Sequence, residues 1–171
     1  MPPKDIWTRL WKSPSLPMHR QTWYKFLFNA QPLGARIERF VPDDSQCPHC
    51  PLRRQTMHHF LFDCPLAQQV WQDFASYFEL SSSPPLYNIL FSWPASSSSM
   101  LGRAYGYRLQ AGHAVALHTL WFVHCEARYR EKSTTRIALS CIFRNRLRRH
   151  FTTLAASSRW KARLGDYTLS F

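Results

Sequence analysis

Apolar residues recur at helical spacing along most of the chain, and prolines interrupt the pattern. In the first eighty residues this pattern predicts short helices that end before Pro14, Pro32 and Pro42. Pro65 suits the first position of a further helix, whose buried stripe runs along residues 66–78. We expect the many aromatic side chains in these segments to pack into the core. The three earlier segments are residues 6–11, 23–30 and 33–40.

Two longer helices are predicted in the second half of the chain. In the last of them we expect Arg146 and Arg149 to point away from the apolar face, and Ser133 or Thr134 to be the N-cap. Strand signals are weak throughout. The predicted fold class is therefore mainly α, with short helices around an irregular loop at residues 47–64, called the metal loop below, followed by a basic two-helix lobe. The two longer helices are predicted over roughly residues 112–130 and 135–156.

Breaker-rich stretches and charge divide the chain in the same way. Two Ser- and Pro-rich patches flank a short apolar run, which predicts a linker over residues 81–101. This linker would separate a first domain, residues 1–80, from a basic helical lobe, residues 102–171. The basic lobe carries thirteen basic and three acidic residues, a net charge of +10. Residues 43–101 carry two basic and five acidic residues, a net charge of −3.

Composition excludes several classes of protein. The 171 residues carry a net charge of +12, which favours a polyanionic partner. Nucleic acid is the first candidate and an anionic membrane surface is the second. No apolar run is long enough for a membrane span, and no signal-peptide core is present, so we expect an intracellular protein of the cytoplasm or nucleus. Five glycines are few for a glycine-rich phosphate loop. An odd number of cysteines, five, argues against a closed disulfide framework.

Three of the cysteines and one histidine form the pattern C-x2-C-x8-H-x4-C, which is typical of a zinc site. Three thiolates and one imidazole complete a tetrahedron and leave no open position, so one structural Zn²⁺ is predicted. Spacing alone leaves His49, His58 and Asp63 as competing ligands. Cys125 and Cys141 lie on apolar helix faces and are expected to be free, buried thiols. The ligands of the pattern are Cys47, Cys50, His59 and Cys64.

The same region resembles a known family. The run Cys47-Pro48-His49-Cys50, the run from Thr56 to Ala67 and the pair Val70-Trp71 are similar to the zinc-binding domain downstream of the polymerase in non-LTR retrotransposon reverse transcriptases. That family carries C-P-x-C, then T-x-E-H-L-F-x-x-C-P-x-A, then V-W. The resemblance covers roughly residues 7–78, including lead-in helices that carry Trp7 and Trp11.

The resemblance implies that Cys47, Cys50, His59 and Cys64 bind zinc, with His59 preferred over its neighbour. It also implies a role beside element RNA or target DNA, and a reverse transcriptase or another element-encoded protein as a partner. The chain departs from the family in having His58 where Glu is usual, and a basic run, residues 51–54, after the second cysteine. Both departures keep every ligand. Residues after 102 resemble the family's tails only loosely.

Catalysis is not expected from this chain. The nearest string to a polymerase Y-x-D-D site has an extra Pro42 before Asp43 and Asp44, and no clustered carboxylates suit two-metal chemistry. An enzyme of unknown type would need carboxylates or histidines that converge in a pocket.

The predicted function is that of a zinc-stabilised module that binds RNA or DNA in a sequence-tolerant way. The alternative is a protein-interaction module with a basic docking surface. Arginine suits bidentate phosphate contacts, and Tyr105, Tyr107 and Trp160 are candidate base-stacking residues. The candidate nucleic-acid contacts are Arg128, Arg130, Arg136, Arg144, Arg146, Arg148, Arg149, Lys161 and Arg163.

Overall fold

The computed structural model describes residues 4–41, 45–80 and 100–157. Most of these residues are helical, which confirms the predicted fold class. The predicted linker, apart from its last two residues, and the candidate contacts Trp160, Lys161 and Arg163 lie outside the described residues. The elements are α1 (Lys4–Lys12), α2 (Pro17–Leu27), α3 (Gly34–Ile37), β1 (Gln46–Cys47), β2 (Cys50–Arg54), a π-helix (His59–Asp63), α4 (Pro65–Tyr77), α5 (Met100–Arg130) and α6 (Arg136–Ala155).

One hydrophobic cluster joins the short helices to the two long ones. Its members run from Ile6 in α1 to Leu154 in α6, and Trp23, Phe26 and Phe143 are among its fully buried side chains. Helix α5 packs against α2, α4 and α6, and every residue of its middle part from Ala111 to Leu117 is buried. The aromatic residues of the first eighty positions therefore supply much of the core. The division of the chain into separate domains stays a prediction.

Helix α5 is longer than its sequence pattern predicts. It begins at Met100 rather than near residue 112, and it includes the last two residues of the predicted linker. Gly102, Gly106 and Gly112 lower helix propensity in this stretch, and packing overrides that preference. Within the residues that the structure describes, no helix has the length and apolar character needed to cross a membrane.

The N-cap of α6 corrects a second expectation. Thr135, and neither Ser133 nor Thr134, precedes the helix, and its Oγ1 accepts a hydrogen bond of 3.2 Å from the backbone N–H of Ala138. A side-chain oxygen in this position satisfies one of the free N–H groups of the first turn. The weak strand signals also hid a small antiparallel hairpin, β1–β2, at the metal loop.

Two of the short helices end in the same backbone motif. Asn29 after α2 and Glu79 after α4 have positive φ angles of 50° and 53°. The next residues, Ala30 and Leu80, donate backbone hydrogen bonds of 2.7 and 2.8 Å back into the last helical turn. This arrangement satisfies terminal carbonyl groups and turns the chain sharply. It brings the chain after α2 back towards the metal loop.

Two buried histidines and the half-buried His118 form a cluster that holds α2, α5 and α6 together. The ring of His19 lies 4.7 Å from that of His118 and 4.8 Å from that of His150, measured between centroids. His150 Nε2 donates to the carbonyl oxygen of Pro14 at 3.0 Å, and the Arg146 guanidinium donates to His118 Nδ1 at 2.8 Å. Arg146 is half-buried, with its guanidinium 4.0 Å from the centroid of a neighbouring phenylalanine ring. The prediction that Arg146 points away from the packed face is therefore wrong.

Candidate metal centre

Four side chains converge where the hairpin meets the start of α4. The donor atoms of Cys47, Cys50, His59 and Cys64 all lie within 4.8 Å of one another. The sulfurs of Cys50 and Cys64 are 3.8 Å apart. A tetrahedral zinc ion with Zn–S bonds of about 2.3 Å holds its sulfur ligands roughly 3.8 Å apart, so this spacing matches. These four residues form one candidate zinc site.

The hairpin positions the first two ligands. Cys47 ends β1, Cys50 begins β2, and the two residues are directly paired across the strands. Pro48 and His49 form the turn between them, as the x2 spacing predicts. Two thiols that face each other across so tight a turn can bind the same ion without further rearrangement of the backbone.

A π-helix positions the other two ligands. His59 and Cys64 are five residues apart, and in an α-helix such residues would project about 140° away from each other. Here the backbone N–H of Cys64 donates to the carbonyl oxygen of His59 at 2.9 Å, which is the i→i+5 bond of a π-helix. The wider turn brings both side chains to one side. Single π turns of this kind are common at functional sites.

The chemistry of the thiols favours a bound cation. Cys64 is the N-cap residue of α4, with Pro65 at the first helical position as predicted. A hydrogen bond from Cys47 and the backbone N–H groups of Leu66 and Ala67 lower the pKa of Cys64 to about 5. The same hydrogen bond and burial raise the pKa of Cys47 above its usual value. Cys64 is therefore expected to be a thiolate. If Cys47 and Cys50 also lose their protons, the three negative charges repel one another unless a divalent cation binds between them.

His59 is distinguished from its neighbours by its surroundings. Its ring is buried, and within the described part of the chain its Nε2 has no hydrogen-bond partner. A buried ring nitrogen without a partner is costly unless it binds a metal. His58 is exposed and its Nδ1 lies 3.0 Å from Asp63 Oδ2, so both competitors partner each other outside the cluster. His49 is half-buried beside the site and is not among the four clustered residues.

The metal loop rests on α4. Trp71 is buried and its Nε1 donates a hydrogen bond of 2.6 Å to the carbonyl oxygen of Leu61. This bond ties the π-helix to the first turns of α4. Behind the thiols, apolar side chains of the long helices line a small cavity together with Cys47 and Cys64. These apolar residues are Leu120, Val123 and Leu139.

Comparison with known families identifies this region. Residues 2–71 match the family described as zinc-binding in reverse transcriptase. In this segment the chain is similar to that family. The match covers the zinc-binding domain and not a catalytic one, and it ends at Trp71. A comparison with curated proteins gives no match.

The zinc-binding domain is also tied to the basic helices by Gln55, which sequence reasoning missed, and by Arg128, which it assigned to nucleic acid instead. Gln55 is fully buried, and its Oε1 accepts hydrogen bonds from the backbone N–H of Gly34 at 3.0 Å and from Arg128 at 3.2 Å. Its Nε2 lies 3.0 Å from Nδ1 of His124 in α5. Arg128 also donates to the carbonyl oxygen of Gln46 at 2.7 Å. The one signal in the sequence was a glutamine placed directly after the hairpin.

The candidate nucleic-acid residues differ in their contacts and exposure. Arg128, Arg130, Arg144 and Arg146 have partners within the protein. Arg130 lies 2.6 Å from Glu126 Oε1, and Arg144 lies 3.4 Å from Asp73 Oδ1. Arg136, Arg148 and Arg149 are exposed, as are Arg130 and Arg144, and Arg148 also has an interaction within the protein.

Two minor expectations are wrong. Cys141 is exposed, whereas a buried thiol was expected, and Cys125 is half-buried. Tyr107 is half-buried against the core rather than open to solvent, so it is a poor candidate for base stacking. The side chain of Tyr105 lies outside the described residues.

Proposed function

We propose that this chain is a non-catalytic module in which zinc stabilises the domain of residues 2–71 and the outer face of α6 binds RNA or DNA. The observation that carries the proposal is the charge of α6, which contains five arginines and no acidic residue over twenty positions. At about 100° per residue, Arg148 and Arg149 project away from the buried Leu139 and Leu147, whereas Arg144 lies at the edge of the buried face and pairs with Asp73. Arg136 is exposed at the start of the same helix.

Backbone contacts explain how such a face would work. A row of guanidinium groups on a rigid helix can hold phosphates bidentately without reading the bases. Binding would then depend on released counterions and fall steeply with salt. The four ligands fill the coordination sphere of zinc and leave it no open position, so zinc would act by fixing the loop and not by chemistry on a substrate.

A salt titration tests this function. Fluorescence anisotropy would follow the full zinc-loaded chain with labelled single-stranded RNA and with duplex DNA. Three phosphate contacts, from Arg136, Arg148 and Arg149, predict a log–log slope of roughly −3 on duplex DNA. The double substitution Arg148→Gln and Arg149→Gln should reduce the slope to about −1. Arg130→Gln, on the neighbouring helix and already paired with Glu126, is the matched control. Absence of binding to either nucleic acid at roughly 50 mM salt would refute the proposal.

The alternative is a protein-interaction module, and one residue favours it. Ile137 is 80 % exposed at the start of α6, directly beside Arg136. An apolar side chain within a basic face suits an acidic protein surface with a hydrophobic contact at its centre. Under this alternative, Ile137→Ser would weaken capture of that partner, whereas nucleic-acid binding would be absent in the salt titration.

A further inference from the structure

A second surface, far along the chain from α6, carries three exposed aromatic rings grouped around Trp7, which itself packs partly against the core. Trp11 is 56 % exposed, Phe28 47 % and Tyr24 39 %. Trp7 stacks on Phe28, with ring centroids 4.7 Å apart and planes at 13°, and Tyr24 leans on both rings. Single exposed aromatic residues are ordinary, but a contiguous group marks an interaction site. We call these four residues the aromatic face.

The charge around the aromatic face is one-sided. Residues 6–28 contain four basic residues and no acidic residue. Arg20 donates a hydrogen bond of 3.1 Å to the carbonyl oxygen of Trp11, and its guanidinium lies 5.9 Å from the centroid of the Trp11 ring. A cation is therefore held at the edge of the ring surface. The positive charge is complementary to an anionic partner, and the rings suit a partner that also carries flat, apolar groups.

A basic groove continues from the aromatic face. It has a volume of about 640 Å³, and Arg36, Arg39 and Arg54 are among its lining residues. Asn29, the residue that follows Phe28, also lines the groove, and the guanidinium of Arg36 donates to its carbonyl oxygen. The one acidic residue in the lining, Glu38, pairs with Arg54. The groove therefore keeps an excess of positive charge, and its lining begins one residue after Phe28 along the chain.

We propose that the aromatic face and this groove together bind single-stranded nucleic acid. Unpaired bases would stack on Trp11, Tyr24 and Phe28, while Arg20 and the groove arginines contact the phosphates. Aromatic side chains that alternate with cations are the recurring means of binding single strands without sequence preference. A duplex hides the faces of its bases, so it would gain nothing from the rings. The inference rests on the proposed function only in that both concern nucleic acid. The binding surfaces are different: α6 in the proposed function, and the aromatic face with the groove here.

The test measures the affinity of the full zinc-loaded chain for three labelled probes of twelve nucleotides per strand. These probes are oligouridine, oligothymidine and a DNA duplex. The double substitution Trp11→Ala and Tyr24→Ala should weaken binding of both single strands by roughly 10- to 100-fold, because each base–aromatic stack contributes about tenfold. Binding of the duplex should change less than about twofold. If only oligouridine binding weakens, the partner is RNA; if only oligothymidine binding weakens, it is DNA. Either result supports the site.

Controls separate this site from the α6 face and from misfolding. Trp11→Phe with Tyr24→Phe keeps aromatic rings and should retain binding. Tyr129→Ala removes an exposed ring on α5, 59 % exposed, and should leave all three affinities unchanged. The double substitution Arg148→Gln and Arg149→Gln should weaken binding of the duplex, which the alanine variant of the aromatic face leaves unchanged. Unchanged single-strand binding in the alanine variant overturns this inference alone, whereas absence of binding to every probe overturns the proposed function too.

Discussion

The guanidinium of Arg128 donates a hydrogen bond of 2.7 Å to the carbonyl oxygen of Gln46, the residue directly before the first zinc-ligand cysteine. Arg128 lies near the C-terminal end of α5, outside the segment that matches the zinc-binding family. The basic half of the chain thus helps to shape the metal loop. Some of its positive charge serves the fold and is not available for a partner.

Loss of this contact should loosen the zinc loop. Arg128→Gln cannot reach both Gln46 and Gln55, so we expect the free energy of unfolding to fall by about 1 kcal/mol, since the bond is charge-assisted but near the surface. Zinc should also be lost at a lower chelator concentration. Urea unfolding and a chelator titration would measure the two effects. Arg130→Gln on the same helix is the control, and an equal effect there would contradict the assignment.

Zinc itself should be essential to the domain. Elemental analysis should find one zinc per chain, and Cys64→Ser should abolish it, because a hydroxyl is a poor substitute for the most acidic of the three thiols. We expect the variant to lose stability across the shared core, seen as a lower melting temperature by circular dichroism. Cys141→Ser, at an exposed thiol, is the matched control. A metal-free chain that melts like the zinc-loaded one would contradict the site.

The ligands could be predicted from the sequence, but the backbone that presents them could not. The C-x2-C spacing and Pro65 predicted the tight turn between the first two cysteines and the start of α4, because both depend on local geometry. The five-residue separation of His59 and Cys64 does not fit one face of an α-helix, and only the structure shows that a π turn resolves this. Choosing His59 over His58 needed the family resemblance, and burial now gives the physical reason.

Long-range contacts account for the remaining differences. Arg128 and Gln46 are 82 residues apart, and no periodic pattern signals such a pair. Arg146 lies off the apolar stripe of α6, so helical spacing placed it in solvent, but packing against α5 gives it His118 as a partner. Helix α5 begins earlier than predicted because burial against α2 and α4 outweighs the cost of its glycines.

Gln55 should be among the residues most sensitive to substitution. Gln55→Leu keeps roughly the side-chain volume but removes three hydrogen bonds. The backbone N–H of Gly34 and Nδ1 of His124 lose their partner, and Arg128 loses one of its acceptors. Each unsatisfied buried group costs about 1–3 kcal/mol, so we expect a loss of roughly 2–4 kcal/mol in urea unfolding. Gln72→Leu, at an exposed position of α4, should change stability by less than about 0.5 kcal/mol. A similar small effect at Gln55 would refute its role.

Gly112 should be required for the packing of α5 on α4. A Cβ added at this position would lie 2.5 Å from Cζ of the buried Phe78 ring and 3.3 Å from Phe74. Alanine favours a helix over glycine by about 1 kcal/mol, yet the overlap should outweigh this, giving a net loss of about 1–2 kcal/mol for Gly112→Ala. In a Phe78→Leu background the same substitution should cost less. Equal costs in the two backgrounds would show that Phe78 is not the obstacle.

The histidine cluster should make the fold sensitive to mild acid. Burial and the nearby Arg146 charge lower the pKa of His118 from 6.5 to about 4, and burial is the main cause of the values of about 2 for His19 and about 4 for His150. The folded state therefore keeps all three rings neutral, while the unfolded chain takes up protons below pH 6.5. Their contribution to stability is complete above that pH and is lost as the pH falls from 6.5 towards 4, by about 1.4 kcal/mol per pH unit for each ring.

His118→Gln isolates one of these protons. A glutamine oxygen can still accept the hydrogen bond from Arg146, but it does not titrate. Urea unfolding of the zinc-loaded chain between pH 5 and 7.5 should show a free energy that depends less steeply on pH in the variant, by about one proton. Both proteins carry the same four zinc ligands, so acid loss of the metal contributes equally and the difference in slope reports His118 alone. Parallel pH profiles would show that the folded state protonates His118 as readily as the unfolded chain does.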